Sequence, residues 1–213
     1  MAKKILPRDC SGVRRGERLT NCTGERHGRY YGFTLIELVL VVGIIAVLSA
    51  LVLSTVGYAR KKGARARAET EIAAMSAACE NYKADNGIYP TNSDTDTLNP
   101  VNELDATSGL DPSQPCTSTN DYTKASLWLY KQISGDTDGD RIGDAKSYFA
   151  FKPIMLLPPP PSNCPVVGIR DPFGNSYGYS TRMASTGSGG YNPTFDLWST
   201  ANSTDPNQWI KNW

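Results

Sequence analysis

The chain is 213 residues long, enough for one soluble domain plus an appendage, and its net charge of +1 hides a split: residues 1–32 hold eight Lys/Arg and three Asp/Glu, a net of +5, while residues 33–213 are net −4. A net-acidic body has no general attraction for nucleic acid, so DNA or RNA is not expected as a partner. The only histidine, His27, lies in the first 32 residues, and no GxSxG, Walker A or GxGxxG pattern occurs, so residues 33–213 lack the parts of a Ser-His-Asp site, a Cys-His site or a His-ligated metal centre, and no enzyme activity is expected.

Residues 1–32 contain Pro7 and several glycines, show no hydrophobic period, and read as an unstructured basic leader. The apolar run begins only at Phe33. Residues 33–53 are 21 positions with a single ionisable group, Glu37. At about 1.5 Å per residue, one helix of that length crosses a hydrocarbon core of about 30 Å. A carboxylate inside such a span costs on the order of a few kcal/mol unless it finds a partner. A cut between Gly32 and Phe33 would create one, an α-amine four residues from Glu37, within one helical turn or across two staggered copies. Charge alone leaves the orientation open, because five Arg precede the span within about 20 residues and five Lys/Arg follow it at 60–67.

The string GFTLIE, residues 32–37, followed by the apolar run, resembles the leader boundary of type IV pilins and of the pseudopilins of type II secretion. The resemblance implies that a prepilin peptidase cuts after Gly32. It implies that Phe33 becomes a methylated N-terminus, and that Glu37 pairs with a neighbour's N-terminus as a filament assembles. It also supplies the orientation: a single pass through the bacterial inner membrane, leader in the cytoplasm and head in the periplasm. Ser54 stands where many relatives carry proline, with Gly57 and Gly63 as softer breakers nearby.

No proline occurs between Pro7 and Pro90, so nothing forces a break after the span. Ala68, Ile72, Met75, Cys79 and Tyr82 recur at three- and four-residue steps, the stripe of a helix with one buried face. Asn86-Gly87 and then Pro90 stop it. Residues 33–86 are therefore expected as one helix of about 80 Å, with 33–53 the transmembrane and assembly part, 54–86 its amphipathic continuation, and 87–213 the head. Residues 87–120 read as a long loop. Residues 123–133 read as a short helix burying Leu127, Trp128 and Tyr130 and ended by Gly135. Runs at 147–152, 166–169, 176–181 and 194–200, bounded by Gly, Pro and Asn, predict an antiparallel sheet, with 158–161 a polyproline spacer at the surface. The fold class expected is α+β: pilin-like, a long N-terminal transmembrane α-helix packed on a small antiparallel β-sheet head.

Further stretches resemble the major pseudopilin of type II secretion, its G subunit, in particular. They are ENYKADNGIYPT at 80–91, RDPFGNSYGY at 170–179 with Phe173 where tryptophan is usual, FDLWS at 195–199, and the terminal IKNW at 210–213. The resemblance implies a Ca2+ site in the C-terminal loop, mapped here to the Leu197 carbonyl, Ser199 and Asp205. Gln208 and Trp209 replace the usual carboxylates, although Ca2+ takes about six to eight oxygens. A second Ca2+ candidate comes from the residues themselves. Asp136, Asp138, Asp140 and Asp144 stand at positions 1, 3, 5 and 9 of an EF-hand-like loop, with the Ile142 carbonyl at position 7. Arg141 occupies the place of the preferred glycine and Ser147 that of the bidentate glutamate, and a solvated acidic turn is the alternative. After the leader three cysteines remain. Cys116 and Cys164 lie in Pro/Ser-rich sequence and are the preferred disulfide, while Cys79 reads as a small buried residue on a helix face; sequence does not decide the pairing.

The function expected is structural: a type II secretion pseudopilus subunit that polymerises with copies of itself and works with prepilin peptidase, other pseudopilins and an inner-membrane secretion platform. Gly43, Ala46, Ser49 and Ala50 permit close helix approach in such a bundle. One alternative is a type IV pilin for adhesion, motility or DNA uptake. Another, of a different class, is a membrane-anchored periplasmic Ca2+- or ligand-binding protein that never polymerises, with Trp128, Tyr177, Trp198 and Trp209 as a candidate sugar-facing set.

Overall fold

The computed structural model describes residues 32–104, 116–117 and 120–213, so the leader and part of the 87–120 loop lie outside the described residues. The chain divides into two compact units, Met1–Leu48 and Ser49–Trp213. One helix, α1 (Leu35–Asn86), contributes to both. In the first unit every described residue is exposed, including the apolar side chains of the span.

The second unit is built on the later part of α1. Ala68, Ile72, Met75 and Cys79 are buried along one stripe, joined by Ala78. Burying an Ile or Met side chain contributes roughly 1.5–3 kcal/mol, so this stripe is a main source of the unit's cohesion. Tyr82 is half-buried: its hydroxyl donates to Gln132 Oε1 at 2.9 Å and its ring meets Tyr148 edge-on at 5.4 Å. Gly87 ends α1 in a left-handed conformation (φ +80°), its N–H donating to the Lys83 carbonyl at 2.7 Å.

Within the expected loop the chain makes a short helix, α2 (Ser93–Thr97). Asn92 accepts from the Thr95 N–H while Thr95 Oγ1 accepts from the Asn92 N–H, and this reciprocal cap starts a helix in a polar stretch without hydrophobic period. Helix α3 (Asp121–Ser134) is capped the same way by Asn120 and Thr123 and ends on left-handed Gly135. It buries Tyr122, Ala125, Ser126, Leu129, Tyr130 and Ile133, whereas Leu127 and Trp128, expected inside, are only half-buried. The buried stripe follows 122, 125, 126, 129, 130 and 133, one helical face, and puts 127 and 128 off it.

Five short strands follow: β1 (Leu156–Leu157), β2 (Gly168–Ile169), β3 (Gly178–Ser180), β4 (Asp196–Ser199) and β5 (Ile210–Lys211). They form an antiparallel β1–β2 pair and an antiparallel β3–β4–β5 sheet. The short helix α4 (Arg182–Thr186) follows β3. The α+β architecture, a long apolar N-terminal helix followed by small antiparallel sheets, is the one expected. The 147–152 segment is not a strand. The N–H groups of Tyr148 and Phe149 both donate to the Ile133 carbonyl, at 2.8 and 2.9 Å, so the segment caps the end of α3 instead of joining a ladder. Pro158 is buried and residues 159–161 are exposed, with cis bonds at Leu157–Pro158 and Pro160–Pro161.

The sheets and α3 pack on the α1 stripe through Leu129, Ile133, Leu156, Ile169, Tyr179 and Leu197. A second cluster gathers Leu98, Tyr122, Ala125, Trp198 and Trp209. In the β3–β4 register Gly178 faces Trp198, whose ring fills the space a Cβ would need. Cys116 and Cys164 are joined in a disulfide, and Cys79 is a free, buried thiol.

Candidate processing and assembly site

Gly32, Phe33 and Thr34 precede the first turn of α1, and Phe33 is 87% exposed. Thr34 and Glu37 form a reciprocal cap. The N–H and Oγ1 of Thr34 each donate to Glu37 Oε2 at 2.8 Å, and the Glu37 N–H donates to Thr34 Oγ1 at 3.3 Å. The carboxylate thus sits at the positive end of the helix, where a negative group is favoured. Glu37 Oε1 has no hydrogen bond among the described residues, so one carboxylate oxygen stays open. The capping role of Thr34 was missed in the sequence, although a Thr three residues before a Glu at the head of an apolar run is its signal.

The helix that follows is long and apolar enough to cross a membrane, with a mean hydropathy of 2.9 in its most apolar stretch. Phe33, Leu35, Ile36, Leu38 and the larger apolar side chains through Leu53 are all exposed. A Cβ on Gly43 would meet nothing within 4 Å, so no contact inside the chain requires a glycine there.

The acidic loop is organised by Asp136, which is 2% exposed. Its Oδ2 accepts from the Tyr130 hydroxyl at 2.6 Å and the Arg141 N–H at 2.8 Å, and its Oδ1 accepts from the Gly139 N–H at 2.7 Å. Burial alone would raise the pKa of Asp136; the Tyr130 hydroxyl and these amides outweigh it and hold the carboxyl below its usual value. Arg141, at the place of the preferred glycine, adopts the left-handed φ of +76° that such a loop needs. Carboxylate oxygens of Asp136, Asp138 and Asp144 come within 4.8 Å of one another. Asp140 stands outside that group and its Oδ1 accepts from the Ile142 N–H at 2.8 Å.

The C-terminal candidates do not converge in this way. The Leu197 carbonyl accepts from the Asn212 N–H at 3.1 Å. Buried Ser199 donates its hydroxyl to Asp171 at 2.6 Å. Asp205 caps the turn Pro206–Gln208 by accepting from the Asn207 N–H at 2.9 Å. All three are hydrogen-bonded within the chain, and they offer a single carboxylate among them, where Ca2+ takes about six to eight oxygens. Nor do the four aromatics form an open platform: Tyr177, Trp198 and Trp209 are core residues, and only Trp128 is half-exposed.

Residues 28–53 match the family model of the prokaryotic N-terminal methylation motif, which covers the Gly32–Phe33 boundary, Thr34 and Glu37. About a third of the chain is similar to type II secretion system core protein G. It is 35% identical to type II secretion system core protein G of Pectobacterium carotovorum subsp. carotovorum over 71 residues, 33% of this chain and 46% of that protein. Against the core protein G of Vibrio cholerae serotype O1 the identity is 38% over 60 residues, and against that of Escherichia coli K12 it is 40% over 60 residues, in both cases 28% of this chain and 41% of the relative. The chain therefore spans less than half the length of the curated relatives it matches. No solved structure matches it.

Proposed function

We propose that this chain is a structural, non-enzymatic subunit of a type II secretion pseudopilus. Prepilin peptidase removes residues 1–32, Phe33 is methylated, and the mature chains polymerise through residues 33–53 with the head in the periplasm. The observation that carries the reading is the Glu37 carboxylate, held by Thr34 at the start of an exposed apolar helix, with one oxygen free of hydrogen bonds among the described residues, in a methylation motif that covers the Gly32–Phe33 boundary. In a filament that oxygen accepts a neighbour's N-terminal amine and sets the stagger, while the small residues at 43, 46, 49 and 50 let helices approach. The partners are further copies of the chain, the peptidase, other pseudopilins and an inner-membrane secretion platform. Intact mass after co-expression with a prepilin peptidase tests the reading. Loss of residues 1–32 with one added methyl is expected; a chain that keeps Met1 overturns it.

We also propose Ca2+ as the ligand of the acidic loop, held by Asp136, Asp138 and Asp144, whose convergence within 4.8 Å favours a cation between them. Titrating the purified protein with Ca2+ should raise its melting temperature and a chelator should reverse the shift. An unchanged melt removes the site.

A further inference from the structure

The basic stretch at 60–67 on α1 is divided in its commitments. Arg65 Nη1 donates to the Gln208 carbonyl at 2.8 Å and Arg67 Nε to Glu71 Oε1 at 2.6 Å, so both are tied to their own chain. Arg60, Lys61 and Lys62 are exposed, and none has a hydrogen bond or ion pair among the described residues. Successive residues on a helix are about 100° apart, so these charges ring the helix and face no single neighbour. Three unpaired like charges within one turn are unfavourable unless an opposite charge arrives from outside.

Position along the helix selects that partner. Arg60 lies seven residues past Leu53, about 10 Å along the axis, and the headgroup layer on each side of the hydrocarbon core is about 5–8 Å deep. Helix side chains lean toward the N-terminus, here the side of the span, and the long stems of Lys and Arg carry their charge back to the interface. Tyr58 lies between the span and these charges, 73% exposed with no ring contact among the described residues, where amphipathic rings gather at headgroup level. We infer that Tyr58, Arg60, Lys61 and Lys62 form a collar that binds anionic phospholipid headgroups on the head side of the membrane. Once the leader's eight Lys/Arg are cut away, the 60–67 stretch carries the only Lys/Arg close to the span, and the collar holds the free subunit in the bilayer until neighbours replace the lipid.

The inference rests on the span at 33–53, and the test separates the two. The leader-free chain, residues 33–213, is reconstituted in phosphatidylcholine vesicles with and without phosphatidylglycerol, insertion is scored by resistance to alkaline carbonate, and retained lipids are counted by native mass spectrometry from mixed micelles. The wild type should retain phosphatidylglycerol over phosphatidylcholine by about tenfold or more, less so as salt rises. The triple variant Arg60→Gln, Lys61→Gln, Lys62→Gln should lose the preference, and the head variant Lys124→Gln, Lys131→Gln should keep it, all three remaining carbonate-resistant. Equal retention of the two lipids by the wild type, or a preference that survives in the triple variant, overturns the collar while leaving the span standing. Carbonate-extractable wild type overturns the span and the collar with it. Unchanged lipid retention with loss of chain-to-chain crosslinks in the triple variant assigns the charges to a neighbouring copy and likewise overturns the inference.

Discussion

Tyr177 on the β-sheet side of the core donates its hydroxyl to Glu71 of α1 at 2.8 Å, across 106 positions of sequence. The other Glu71 oxygen accepts from Arg67 at 2.6 Å, so a carboxylate on a residue only 9% exposed has a donor on each side. Burial, and then the Glu71 charge, push the Tyr177 pKa upward and keep the hydroxyl a donor. This bond ties the apolar stripe of α1 to the head by a directed contact that apolar packing alone does not provide.

Tyr177→Phe keeps the ring and strands one buried carboxylate oxygen. The expected loss is about 1–3 kcal/mol in denaturant unfolding, with no effect on leader removal. Glu71→Gln retains an acceptor and should cost less. If Tyr177→Phe unfolds at the wild-type midpoint, the bond carries no stability.

The α1 stripe was legible because a three- and four-residue step survives any detail of packing, and Gly87 and Pro90 marked its end. The 147–152 run was misread for a physical reason: alternating aromatics look the same whether their amides join a strand or cap the Ile133 carbonyl. Helix α2 was hidden because a reciprocal cap, not hydrophobic period, starts it. The acidic spacing does not say which way carboxylates turn, and Asp140 turns to the Ile142 amide. In the C-terminal loop, the use of Ser199 by Asp171 joins positions 28 residues apart and has no local signature.

Cys79 should be inert in the folded protein. It is fully buried on the α1 stripe, and burial, helped by the Glu80 charge, pushes its thiol pKa up to about 12. Thiolate is the reactive form, so iodoacetamide at mildly alkaline pH should leave the native mass of the leader-free chain unchanged. After unfolding without reductant one adduct is expected on the leader-free chain, and after reduction three, from Cys79, Cys116 and Cys164. Rapid native labelling at Cys79 would show that the core opens.

Asp171 gives the head a pH dependence of known sign. It is 2% exposed, and burial raises its pKa against the opposing pull of the Ser199 hydroxyl and the Asn175 and Phe173 amides. The folded chain therefore holds this proton more tightly than the unfolded one. Its contribution to stability is greatest below the ordinary Asp value of about 4 and falls as pH rises through the folded value. Asp171→Asn keeps an acceptor for both amides and removes the titration. Across that window the wild-type advantage over the variant should shrink with rising pH. Asp136, pulled below its usual value, acts in the opposite sense, its contribution present at neutral pH and lost as pH falls through its folded value. A difference between wild type and Asp171→Asn that is flat with pH, or that grows, contradicts the assignment.

Thr34 and Glu37 allow the observed helix cap to be separated from the register contact proposed for the same carboxylate. The Thr34 donors occupy Oε2 and cap the chain's own helix, and Oε1, without a hydrogen bond among the described residues, is the atom proposed to meet a neighbour's amine. Thr34→Val keeps the branched shape and removes the hydroxyl bonds, at about 0.5–2 kcal/mol for a lost cap. Leader removal should continue and crosslinked ladders should weaken without vanishing. Glu37→Ala should leave the cut intact and abolish the ladder, since cap and charge are both lost. Glu37→Gln decides between the two jobs, because the amide oxygen still accepts from Thr34 but carries no charge for the amine. If the ion pair sets the stagger, Glu37→Gln behaves like Glu37→Ala in assembly while its mass shows normal processing. Ladders at the wild-type level from Glu37→Gln would reduce Glu37 to a helix cap and leave the filament without its register contact.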